Sequence, residues 1–78
     1  MNTGNIDLLL FGHRLRFFRK RLGLTLTDLG KVVSKPAPFL SQLENGHVEA
    51  KIGLIGDLAT ALGVTPADLL DPEPPSRR

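Results

Sequence analysis

The stretch Thr25-Leu-Thr-Asp-Leu-Gly-Lys-Val-Val-Ser-Lys-Pro-Ala-Pro-Phe-Leu-Ser-Gln-Leu-Glu-Asn-Gly46 decides the fold. Thr25 is followed three residues later by Asp28, the short form of a capping box, so a helix starts near Leu26. Leu29 and Val33 form its inner face. Ser34-Lys35-Pro36 breaks it, because Pro36 disfavours an α conformation at Lys35. Pro38 fits the first turn of a further helix, where its missing N–H costs nothing. That helix runs from about Ala37 to Glu44 with Leu40 and Leu43 facing inward, and Asn45-Gly46 stops it.

Upstream, a helical pattern begins at Ile6. Phe11, Leu15, Phe18 and Leu22 share one face, and Gly23 closes the helix. Met1–Asn5 reads as a frayed start. Downstream, His47–Lys51 is a polar connection. Ile52, Ile55, Leu58, Ala59 and Leu62 then give a fourth stripe, closed by Gly63. Thr65-Pro66-Ala67-Asp68 starts a fifth short helix, which carries Leu69 and Leu70 to the core. Residues 71–78 form a Pro-rich tail or the start of a linker into a further C-terminal domain. No segment shows strand alternation and none repeats at solenoid length. The expectation is an all-α, compact five-helix domain over residues 6–70.

Composition narrows the chemistry. A chain of 78 residues is one small domain. It has no Cys, so disulfides, thiolate metal sites and Cys nucleophiles are excluded. Trp and Tyr are absent and there are four Phe, which argues against aromatic platforms for stacked bases. His13 and His47 stand alone, without a second ligand at metal spacing, so no metal or cofactor is expected. No signal peptide or membrane span is visible, and a cytoplasmic location is expected. An enzyme is disfavoured, since no paired carboxylates or nucleophile–base set is apparent.

Charge is segregated. From Arg14 to Lys51 there are eight basic residues and three acidic ones; from Ile52 to Ser76 there are four acidic residues and no basic one. A polyanion is the partner such a split suggests. Two short helices joined by a tight break make a helix-turn-helix, whose second helix enters the DNA major groove. Candidate DNA contacts are therefore Thr25 and Leu26 at the start of the first of these helices. Ala37, Pro38, Phe39 and Ser41 are candidates on the second, and His47 in the loop after it. Lys35, Lys51 and Arg14 are candidate phosphate clamps. Backbone N–H groups at both helix starts could hold phosphates as well.

Gly23-Leu-Thr-Leu-Thr-Asp-Leu-Gly-Lys-Val-Val, Phe39-Leu-Ser-Gln-Leu-Glu-Asn-Gly and Leu58-Ala-Thr-Ala-Leu-Gly-Val-Thr-Pro-Ala-Asp-Leu-Leu together resemble the lambda-repressor/Cro-like (XRE-type) helix-turn-helix domain. The resemblance covers about Phe11 to Leu70. It implies binding of double-stranded DNA, usually as a dimer on a two-fold operator. It also implies an Arg19–Glu44 ion pair, a DNA-meeting role for Gln42, and an approach of Asn45 and its loop to the phosphate backbone. The chain departs from the family pattern at four places. Leu26 replaces a frequent Gln, Gly30 a usual Ala and Ser34 a common Gly, and Pro36-Ala37-Pro38-Phe39 replaces a polar recognition-helix start. The apolar Leu26, Pro38 and Phe39 cluster suggests an alternative, a protein-interaction module of antitoxin-like type on the same fold.

Overall fold

Asp7 opens the first helix, its carboxylate accepting the Leu9 and Leu10 N–H groups at 3.1 Å each. The computed structural model describes residues 7–70. Ile6, the Met1–Asn5 start and the Pro-rich segment 71–78 lie outside them. Five helices follow in order: α1 (Leu8–Arg21), α2 (Leu26–Val33), α3 (Ala37–Glu44), α4 (Ile52–Leu62) and α5 (Pro66–Leu70).

The first four helices end alike. An N–H just past each helix reaches back five residues: Leu24 to Arg19 O, Lys35 to Gly30 O, His47 to Gln42 O and Val64 to Ala59 O, at 2.9–3.2 Å. Each such end needs a left-handed residue. Glycine supplies it at positions 23, 46 and 63, but in the helix-turn-helix break it is Ser34, at φ 60°. The break is tight for another reason. A methyl group at Gly30 would run into the carbonyl oxygen of Lys35, so the family's usual Ala cannot stand there with this turn.

The core gathers Phe11, Leu15 and Phe18 of α1, Leu29 and Val33 of α2, and Leu40 and Leu43 of α3. Ile55, Leu58, Ala59 and Leu62 of α4 and Leu69 of α5 complete it. α1 packs on α3 and α5, α2 on α3 and α4, and α4 on α5. Three residues expected inside lie outside: Leu22 (52% exposed), Ile52 (86%) and Leu70 (40%). They are the C-cap of α1, the first residue of α4 and the last of α5, where each helix has run past the core.

Arg14 takes an inner place instead. It is 1% exposed, and its Nη1 donates to the Asp68 carbonyl at 3.0 Å, tying α1 to α5. Its spacing of three from Phe11 and four from Phe18 puts it on the buried face. Among the described residues, no helix is long and apolar enough to cross a membrane.

Candidate nucleic-acid interface

The recognition helix is held by its inner face and its far end. Leu40 and Leu43 are fully buried. Glu44 receives a two-point grip from Arg19 of α1: Nε donates to Oε2 at 2.6 Å and Nη2 to Oε1 at 3.0 Å. Arg19 also donates to the Leu24 carbonyl at 2.7 Å, so one guanidinium joins α1, the loop before α2, and α3. The hydrogen bond to Glu44 raises the Arg19 pKa above the ordinary arginine value against the cost of its burial. Nearby, α1 approaches the end of α3 so closely that a methyl group at Gly12 would stand 2.6 Å from the Leu43 carbonyl oxygen.

With that face fixed, Pro38, Ser41, Gln42 and Asn45 turn outward at helical spacing. Pro38, Gln42 and Asn45 are exposed, while Ser41 is half-buried and accepts from Asn45 Nδ2 at 3.5 Å. The start of α3 is not the phosphate cradle expected of it. It has no side-chain cap; Pro36 and Pro38 carry no N–H, and the Phe39 N–H is turned to Pro36 O at 3.1 Å. At most Ala37 can offer a backbone donor there.

The start of α2 is built differently. Thr25 Oγ1 accepts the Asp28 N–H at 3.0 Å, and Asp28 Oδ2 accepts the Thr25 N–H at 2.9 Å. These bonds, with Lys31 nearby, hold the Asp28 carboxyl below the ordinary aspartate range. The Leu26 and Thr27 N–H groups stay outside the box.

Two hollows flank the recognition helix. Thr25, Leu26 and Ala37 line one, together with Lys20 and Thr27, two surface residues the sequence reading passed over. Their exposed places beside the α2 start would have been the signal. Lys35, Phe39 and Lys51 line the other, together with Glu49 and Leu54. Lys35 Nζ lies 5.7 Å from the centre of the Phe39 ring. Leu26 and Phe39 are both half-buried against the core, Leu26 at the first hollow and Phe39 at the second.

His47 is exposed in the loop after α3. Arg14, buried under α5, cannot clamp a phosphate. With Arg14 inside and Arg19 paired to Glu44, six of the eight basic residues between Arg14 and Lys51 face solvent: Arg16, Lys20, Arg21, Lys31, Lys35 and Lys51. Asp28 and Glu49 are the exposed acids of that stretch, so its surface remains strongly basic. Among the described residues, no three His, Asp or Glu side chains come together to hold a metal ion.

Comparison with known proteins agrees with this geometry. The HTH-type transcriptional regulator DdrOP3 of Deinococcus deserti is 36% identical over 58 residues, covering 74% of this chain and 45% of that protein. The chain thus spans about half the length of that relative. The restriction-modification controller protein C.AhdI of Aeromonas hydrophila superposes with a TM-score of 0.78 at 33% identity, over 81% of this chain and 96% of that one. The clp gene regulator ClgR of Corynebacterium glutamicum gives 0.80 at 33% identity, over 85% and 70%. Residues 10–71 match the family described as the helix-turn-helix domain. The chain therefore belongs to the helix-turn-helix domain family, as a DNA-binding domain of the lambda-repressor/Cro-like type.

Proposed function

We propose that this domain is the DNA-reading part of a transcriptional regulator and binds a two-fold operator as a homodimer, one α3 in the major groove of each half-site. The observation that carries the reading is the outward row Pro38–Ser41–Gln42–Asn45, presented by a helix whose other face is locked to α1. Gln42 is the side chain of that row best able to pair with a base edge. Lys35 and Lys51 on one flank contact phosphates, as do Lys20 and the α2 start around Thr25, Leu26 and Thr27 on the other. Asn45 and His47 follow the backbone past the end of α3. One recognition helix spans only a few base pairs, which is why a second copy is needed. The match spans 45% of the regulator DdrOP3, which supports a separate regulatory region as the source of any effector response.

Selection of duplexes from a random pool at moderate salt tests this. The expected product is a palindromic motif whose affinity falls steeply with salt, at about −0.9 in log–log slope per neutralised phosphate. Lys35→Ala flattens that slope by roughly one for each protomer, and Gln42→Ala relaxes the preference at one base pair per half-site. A pool that returns no motif, with weak binding of all sequences alike, sinks the reading.

A further inference from the structure

We infer that this domain recognises thymine methyl groups through Ala37 and Pro38, an inference that rests on the DNA-reading role proposed above. The leading end of α3 is where a recognition helix meets base edges. Here that end is chemically bare. Pro38 is exposed and Ala37 half-exposed, and neither side chain can donate or accept a hydrogen bond. Pro36 and Pro38 lack a backbone N–H, and the Phe39 N–H is already given to Pro36 O. α3 carries no Lys or Arg, so the two-point contact to guanine O6 and N7 is missing from the helix itself.

The major groove displays one apolar group among its four bases, the thymine C5-methyl. Against Pro38, guanine would lose water from N7 and O6 and cytosine from its amino group, with nothing given in return. Thymine instead buries a methyl group. One turn along, the free Gln42 amide matches adenine N6 and N7. Charge supports duplex DNA as the occupant of this apolar nose, since the exposed Lys35 and Lys51 line a hollow with Phe39, the residue next to Pro38. The expected half-site is A·T-rich at the pairs facing the start of α3.

The test uses the duplex selected with this chain, resynthesised with deoxyuridine for thymidine at one position at a time. Deoxyuridine keeps every hydrogen-bonding group and removes only the methyl. Binding should weaken roughly three- to fourfold for each methyl facing Ala37 or Pro38, the worth of one buried methyl group. Pro38→Ser should bring the thymidine and deoxyuridine duplexes to nearly equal affinity at the position facing Pro38 alone, while keeping the salt dependence of the parent. A selected duplex bound equally well with deoxyuridine at every position overturns the inference and leaves DNA reading intact. Absence of any selected duplex removes the DNA reading itself.

Discussion

α2 and α3 are both eight residues long and are joined by one tight turn, yet they are anchored at opposite ends. α2 is fixed where it begins, by hydrogen bonds between residues three apart, Thr25 and Asp28. α3 begins with no cap and is fixed where it ends, by Arg19 and by the close approach of Gly12, both from α1. The difference separates holding from reading. A helix gripped at its C-terminal end can present its first turn free of capping chemistry, and here that turn is apolar. A helix gripped at its own start needs no partner to set its register, but its capping side chains are already committed.

The sharpest way to break the contrast is Glu44→Ala. It leaves the Arg19 guanidinium buried with the Leu24 carbonyl as its remaining partner, and the expected loss of stability is about 3–5 kcal/mol. In a domain this small that is a large part of the total. Urea titration measures it, and a replacement of both partners by Leu or Met should recover most of the loss. A drop under about 1 kcal/mol would show that α3 is held by burial of Leu40 and Leu43 alone. Gly12→Ala attacks the same end by crowding backbone carbonyls that cannot move aside, with a cost of about 1–3 kcal/mol. At the other anchor, Thr25→Ala should cost about 1 kcal/mol and leave the α3 grip untouched. The two losses should therefore add in a Thr25→Ala/Gly12→Ala double variant.

The hinge between the helices offers a gain. Ser34 stands left-handed at φ 60°, where three equivalent ends of this chain use glycine. Ser34→Gly relieves that conformation and should raise stability by up to about 1 kcal/mol, less the extra freedom given to the unfolded chain. Thermal midpoints compare the two, and a Ser34→Gly variant that melts earlier than the parent contradicts the argument.

What was legible beforehand follows the same division between local and distant anchoring. The boundaries of α2 and α3 are written in residues a few positions apart: Thr25 with Asp28, Pro36 before a break, Pro38 in a first turn. The start of α5 repeats this with Thr65 and Asp68. The outward row of α3 follows from the period once Leu40 and Leu43 are placed. Arg14 shows the limit. Its spacing marks the buried face, but its charge marks the surface, and the partner that receives it inside, the carbonyl of Asp68, lies fifty-four residues away. Phe39 is similar, because the period fixes its side of α3 but not its neighbours, which come from the distant loop carrying Glu49 and Lys51. Leu22, Ile52 and Leu70 were misplaced for a simpler reason: a helical period says which face is apolar, not where the core stops beneath it.

The smallest effect reads the α2 anchor by pH. Asp28 has its pKa lowered, first by the hydrogen bond from the Thr25 backbone, then by the Thr25 side chain and Lys31, against a small cost of burial. The folded state therefore binds its proton less readily than the unfolded chain does. Its contribution to stability is complete above the unfolded aspartate value of about 3.9 and disappears as pH falls through the lower folded value. Asp28→Asn should then melt below the parent at neutral pH, with the gap narrowing in acid and closing once both states of the parent are protonated. Thermal midpoints of the two proteins from pH 7 to pH 2 give the comparison. A gap that stays constant across that range would mean that the carboxylate charge plays no part in holding the α2 start. The first turn of α3 contains no titrating group, so its apolar character should persist unchanged over the same range.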